Sequence, residues 1–345
     1  MRIMPPRYLL RDRPNPNLLS LVVPAYNEEE AIPLLRSRLQ SVMKELPCAA
    51  EVVVVNDGSS DNTLAVLINW ANDDSRIKVI GLARNFGHQA AVTAGLDQAL
   101  GEAIVVLDSD LQDPPEVIPL MLAKYREGYD VVYGRRTSRD GETIFKRFTA
   151  WLFYRLMKWF VYEELPSDAG DFRLVSRQCV ESLKAMRESH RFLRGMIAWV
   201  GFAQTFVDYE RAPRAAGSTK YPLLKMLKFA WTAAVSFSPI PLRLSLAAGV
   251  LVAIGGFAYE IFALIHAMIV HDTVPGWASV ITVTCVIGSA ILISIGILGE
   301  YIARIFEATK GRPLYIISTS VNVAGHRTPD QQQSISSPAA TPPVI

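Results

Sequence analysis

At 345 residues the chain can hold one or two domains with a full core, and its net charge of +2 argues against a general polyanion binder such as a nucleic-acid protein. Half of the residues are hydrophobic and the mean hydropathy is +0.21, high for a soluble enzyme, with the excess gathered toward the C-terminus. Cys48, Cys179 and Cys285 are too scattered for a disulfide framework or a metal ligand set and are expected as packed, reduced thiols.

Residues 1–17 carry Arg2, Arg7, Arg11 and Arg13 among prolines and no apolar segment, so a flexible lead-in is expected rather than a signal peptide. From 18 to about 134 apolar runs alternate with amphipathic stretches. Strands are predicted at 19–23, 51–55, 77–82, 104–107 and 130–133, and helices at 28–46, 62–72, 88–100 and 116–127, with Asn27 capping the first. Strict alternation implies an α/β domain with a mainly parallel sheet and right-handed crossovers. Ligands of such sheets bind beyond the carboxyl ends of the strands, where Tyr26, Glu28, Asp57, Asn85, Asp108 and Asp110 fall. No GxGxxG follows the first strand and no GxxxxGK[ST] is present, so a bound diphosphate needs another source of positive charge.

That source is suggested by Asp108-Ser109-Asp110-Leu111-Gln112-Asp113, which ends the apolar run 104–107. In extended chain Asp108 and Asp110 project to one side, and neighbouring carboxylates at a strand end are costly without a cation between them. A hard divalent ion that also touches substrate phosphates fits best; a solvated acidic loop is the bland alternative.

Arg135, Arg136, Arg139, Lys146 and Arg147 follow the fifth strand, and the aromatic-rich stretch 142–162 reads either as a core helix or as one lying on a membrane surface. Gly170-Asp171-Phe172-Arg173-Leu174 forms a second polar–apolar junction, 202–209 is predicted as a strand, and Arg211, Arg214 and Lys220 flank a flexible Ala-Gly-Ser stretch. Residues 222–237 are amphipathic at helical spacing, as befits an interfacial helix. The runs 244–270 and 277–298 are each long enough to cross a hydrocarbon core of roughly 30 Å. Their link, 271–276, has no Lys or Arg, whereas the outer flanks carry Lys225, Lys228, Arg243, Arg304, Lys310 and Arg312. By the positive-inside rule both termini and the α/β domain face the cytoplasm. The expected order is thus a lead-in (1–17), a catalytic domain (18–221), a juxtamembrane helix (222–241), two spans (242–306) and a tail (307–345), disordered beyond about 323.

The ordered motifs Pro24-Ala25-Tyr26-Asn27-Glu28, Asn56-Asp57-Gly58-Ser59, Arg84-Asn85-Phe86-Gly87 and Asp108 to Pro115 resemble the series of glycosyltransferase family 2. Gly170 to Leu174, Ser218-Thr219-Lys220-Tyr221 and Gly299-Glu300-Tyr301-Ile302-Ala303-Arg304 resemble its polyprenyl-phosphate branch, of the bactoprenol (undecaprenyl-phosphate) glucosyltransferase type. The likeness implies a GT-A fold and inverting transfer of a sugar from a UDP-sugar to polyprenyl phosphate, as in O-antigen modification of lipopolysaccharide, by a bacterial inner-membrane homo-tetramer. It places Pro24, Tyr26, Glu28, Asp57, Asn85 and Asp108 at the nucleotide, and Asp108, Asp110 and Gln112 with Mg²⁺ or Mn²⁺ at the diphosphate. Arg135, Arg136 and Lys220 become candidates for the acceptor phosphate, and Asp171, Asp110 and Lys220 for catalysis. Ser218-Thr219-Lys220 departs from the pattern of many relatives, which leaves the acceptor contacts open.

Glucose is implied by resemblance alone; galactose, N-acetylhexosamine, aminoarabinose and mannose from a GDP donor stay open. A processive synthase would need a QxxRW motif and more spans, and a nucleotide-binding scaffold without catalysis would not need Asp171. A phosphate monoester, with a second pKa of about 6, hardly needs a general base. Asp171 is therefore expected to orient a cationic or sugar group.

Overall fold

The structure, a computed structural model, describes residues 10–136, 169–186, 188, 191–210, 240–270 and 276–323. In chain order it contains β1 (Leu18–Ala25), α1 (Ile32–Glu45), β2 (Ala49–Asn56), α2 (Thr63–Asp73), β3 (Ile77–Leu82), α3 (His88–Gln98), β4 (Ala103–Val106), α4 (Ile118–Arg126), β5 (Val131–Arg136) and β6 (Ala169–Ser176). Beyond these come α5 (Arg177–Ala185), α6 (Leu193–Val200), β7 (Gln204–Tyr209), the long helices α7 (Ile240–Val270) and α8 (Trp277–Thr309), and β8 (Ile317–Val321).

The strands form one sheet in the order β7-β5-β6-β4-β1-β2-β3-β8. β1, β2, β3 and β4 are mutually parallel, as are β5 and β7, while β6 runs antiparallel between β4 and β5 and β8 antiparallel on β3. The mainly parallel α/β sheet of GT-A type is therefore present, with one antiparallel strand inside it and one at its edge. Because side chains alternate across a strand, Leu19, Leu21, Val23, Val52 and Val54 pack under α1, α2 and α4, while Val22, Val53, Val55 and Ile80 pack under α3, α5 and α6. Each such fully buried Leu or Val contributes about 1.5–3 kcal/mol. Helices cover both faces, which explains why these strands read as unbroken apolar runs.

Three local expectations change. Asn27 does not cap α1, which begins at Ile32; Asn27 takes φ 55° and its amide instead accepts the Ser60 N–H at 2.8 Å. The chain turns at Ser109 and Asp110 and Leu111 has φ 57°, so the acidic motif is a turn beyond β4 and not extended strand. Residues 317–321, assigned to the tail, form an edge strand of the sheet.

Two units divide the chain, the sheet with its helices and β8 in one, α7 and α8 in the other. Within these helices, Leu242–Tyr259 and Val286–Thr309 have mean hydropathies of 1.7 and 1.9, long and apolar enough to cross a membrane. The stretches 142–162 and 222–237, and Arg139, Lys146, Arg147, Arg211, Arg214 and Lys220, lie outside the described residues.

Candidate active site

The carboxyl ends of β1, β2 and β4 meet along one edge of the sheet. After β1 and β2, two loops lock together by reciprocal bonds. Asn27 N–H donates to Ser59 Oγ at 2.9 Å, Glu28 N–H to Thr63 Oγ1 at 2.8 Å, and Asn62 N–H to Glu29 at 2.9 Å. Pro24 is buried in β1, and Tyr26, 47% exposed, stands above this floor with Glu28 half-buried beside it. Asp57 is buried and accepts the N–H groups of Phe86 at 2.7 Å and Gly87 at 2.9 Å. Burial raises its carboxyl, against those two N–H groups, His88 and Arg84. Gly58, at φ +65°, lies so close to the Arg84-Asn85 backbone that a Cβ would sit 2.3 Å from the Arg84 carbonyl carbon. Only glycine fits there, which explains the Asn-Asp-Gly-Ser sequence. Asn85 is exposed on the same loop.

β6 brings in the second junction. Its register sets Arg173 against Val106 of β4, where the pairing ends, and Asp171 and Asp108 lie close together just beyond it, with His88 between them. His88, the first residue of α3, has Nε2 3.6 Å from Asp171 and 3.9 Å from Asp108. The two carboxylates are electrostatic opposites. Burial pushes Asp108 up to about 6; His88 eases it, while Asp171, Asp113 and Asp110 repel it further in that order. For Asp171 burial also raises, but Arg173 and Arg194 outweigh it, with help from His88, and hold the carboxyl well below the usual carboxylate range. Arg194 grips it bidentately at 3.0 and 2.9 Å, and Arg173, buried, reaches it at 2.5 Å.

The other acidic residues divide the same way. Asp113, only 1% exposed, accepts from Tyr209 Oη and, at 3.3 Å, from Arg136, whose Nε also reaches Tyr209 at 3.2 Å. It anchors the loop against β5 and β7. Asp110 accepts the Gln112 N–H at 3.1 Å, closing the turn, and Gln112 is buried. Arg135 pairs bidentately with Asp208 at 2.6 and 2.9 Å.

Among the described residues no three His, Cys, Asp or Glu side chains converge as a ready ligand set. The fit to a divalent ion is one of charge: Asp108 is burdened by three neighbouring carboxylates, and an ion held by one or two carboxylates plus phosphate oxygens is what Mg²⁺-type sites use. The residues present fit such an ion at Asp108, Asp110 and Gln112.

The structure thus gathers Pro24, Tyr26, Glu28, Asp57, Asn85, Asp108, Asp110, Gln112 and Asp171 along one edge, with Arg135 and Arg136 at the ends of the neighbouring strand. His88, Arg194 and Tyr209 carry no mark in the sequence, and Asp113, the last carboxylate of the acidic motif, proves to be an anchor for the loop. Arg194 lies in the first turn of α6, three residues after Arg191, and that pair of arginines is the one local hint of it.

Residues 20–184 match the family description Glycosyl transferase family 2, and residues 240–305 match GtrB C-terminal hairpin. The chain is 46% identical to the uncharacterized glycosyltransferase YkcC of Bacillus subtilis, over 89% of this chain and 95% of the relative. It is 39% identical to the bactoprenol glucosyl transferase of Shigella phage SfII, over 88% and 98%. Among solved structures it is similar to glucosyl-3-phosphoglycerate synthase from Mycobacterium tuberculosis in complex with Mn²⁺, UDP-glucose and phosphoglyceric acid, at 18% identity and a TM-score of 0.45, covering 64% of this chain and 78% of that one.

Proposed function

The chain is a glycosyltransferase and belongs to glycosyl transferase family 2, and on that footing we propose that it moves a hexose, glucose by resemblance, from a UDP-sugar to polyprenyl phosphate at the cytoplasmic face of a bacterial membrane. The two apolar helices, the hairpin match and the bactoprenol glucosyl transferase relatives support a membrane-held acceptor. The charge deficit at Asp108 carries the metal-dependent part of the reading.

The interlocked loops after β1 and β2 hold the nucleotide, with Tyr26 offering a ring face and Asp57 a fixed carboxylate. Asp108, Asp110 and Gln112 would hold Mg²⁺ or Mn²⁺. When bound, the ion neutralises the diphosphate and eases departure of UDP. A phosphate oxygen of the acceptor bonds to the anomeric carbon as the bond to UDP breaks, inverting the configuration. No proton has to leave the nucleophile, because a phosphate monoester is largely dianionic near neutrality. Asp171, clamped by Arg173 and Arg194, is poorly suited to accept one. Its role is to fix Arg173 and Arg194 and to keep His88 beside Asp108. Arg135, Arg136 and Lys220 remain candidates for the acceptor phosphate, and a homo-tetramer is the expected assembly.

Purified full-length protein given a panel of UDP-sugars, undecaprenyl phosphate and Mg²⁺ or Mn²⁺ yields a lipid-phosphate sugar by mass spectrometry, and a chelator stops it. Equal yield with chelator present sinks the metal role; no product with any donor sinks the reaction. A pH–rate profile of Asp171→Asn separates the two roles of that residue. A loss at every pH supports orientation, and a change confined to one limb makes Asp171 the base.

A further inference from the structure

After the second long helix the chain returns to the catalytic sheet. β8 pairs antiparallel with β3, Val321 opposite Val79, Ser320 opposite Ile80, Thr319 opposite Gly81 and Ile317 opposite Leu82. The pairing runs past the end of β3, where Ala83 N–H donates to the Ile316 carbonyl at 2.9 Å. Side chains fasten it at both ends. Ser318 Oγ donates to the Gly81 carbonyl at 3.1 Å, Asn322 donates to the Ala71 and Ile77 carbonyls at 2.8 and 2.9 Å, and Tyr315 Oη donates to Asp97 on α3 at 2.8 Å. Tyr315 and Ile317 pack on the same cluster as Phe86.

Ala83 leads directly into the Arg84–Gly87 loop, whose N–H groups hold Asp57 and whose backbone lies on Gly58. An edge strand without a partner frays readily, and a loop hung on a fraying strand cannot hold a fixed position. We infer that β8 is a positioning element of the donor-nucleotide site: residues 315–322, reached only through the membrane hairpin, fix the end of β3 and so set Phe86 and Gly87 against Asp57. The inference rests on the reading of the Asp57 edge as the nucleotide site, but its mechanical half does not.

Two truncations of the otherwise intact chain test it, one after Val323 and one after Arg312. Amide exchange at Phe86 and Gly87 should be unchanged in the first and about tenfold faster or more in the second, while Val105 in β4 stays protected in both. UDP affinity should fall about tenfold in the second only, with donor KM rising and acceptor KM held, and a peptide of residues 313–323 added in trans should restore slow exchange by strand addition. Should the shorter protein not fold, Ser318→Ala combined with Asn322→Ala removes three of the fastenings with the chain whole, and a several-fold faster exchange at Phe86 and Gly87 is the expected sign. Unchanged exchange at these two amides overturns the inference. Faster exchange in an intact protein that never bound UDP would leave the positioning in place and remove the nucleotide reading instead.

Discussion

Asp108, just beyond β4, and Asp171, near the start of β6, are neighbours at the end of one antiparallel pairing, yet their surroundings push them in opposite directions. Asp171 carries its own counter-charges, two guanidinium groups supplied by β6 and α6. Asp108 has carboxylates around it, and His88 at 3.9 Å with Arg173 further off does not offset them and its burial. Two buried acids thus show two outcomes of burial: one is neutralised by the chain, the other is left with its carboxyl raised. A half-built charge balance is where a cation and a polyanionic donor have reason to bind together.

The sharpest way to break this contrast is Asp171→Asn, which strands Arg173 in the core. Leaving a buried charge unpaired costs about 3–5 kcal/mol, read by denaturant unfolding. The folded-state carboxyl lies below its unfolded value, so its stabilisation is present above the ordinary carboxylate range and is lost as the pH falls toward the depressed one. Acid unfolding of the variant should therefore be shallower. Asp108→Asn should behave in the reverse sense, lowering kcat by about hundredfold, or about 2.7 kcal/mol, while making the metal-free protein more stable at neutral pH. Its folded value is the raised one, so Asp108 destabilises the fold progressively as the pH climbs from about 4 to about 6 and fully above that, and the gain in Tm should vanish below about pH 4. Added Mn²⁺ at 100 times its Kd should stabilise the native protein by about 2.7 kcal/mol at neutral pH in a thermal-shift assay. That gain should fade as the pH drops below about 6, where the proton holds Asp108, and should be missing in Asp108→Asn. Smallest is Tyr209→Phe, expected to cost about 1 kcal/mol because Asp113 keeps Arg136 when the hydroxyl is gone.

The parallel half of the sheet was legible because each strand is a short apolar run ending in polar residues, as in Ile104 to Asp108 or Val52 to Asp57. That Tyr26, Glu28, Asp57, Asn85, Asp108 and Asp110 share one edge could be read from that alone, since strand ends in such a sheet lie together. Asn27 misled because an amide that suits a helix cap also tolerates the left-handed region, and only the facing Ser59-Ser60 backbone decides between them. The Asp108–Asp171 partnership was hidden because the register of two strands more than sixty positions apart leaves no local pattern. Arg194 sits on a helix whose sequence reads as ordinary packing, and its grip on Asp171 is a tertiary fact. β8 escaped because Ile317–Val321 is brief and mixed in polarity, a strand by virtue of its neighbour.

That last strand has a consequence for how the protein is made. A ribosome delivers β3 more than two hundred residues before the segment that pairs with its outer side, and both long helices are synthesised in between. The nascent sheet therefore waits with a naked border while the two long apolar helices are made, and closes only after the polypeptide doubles back. Completion of the sheet thus depends on residues made after both long helices, so a version cut before β8 is expected to be unfinished and sticky.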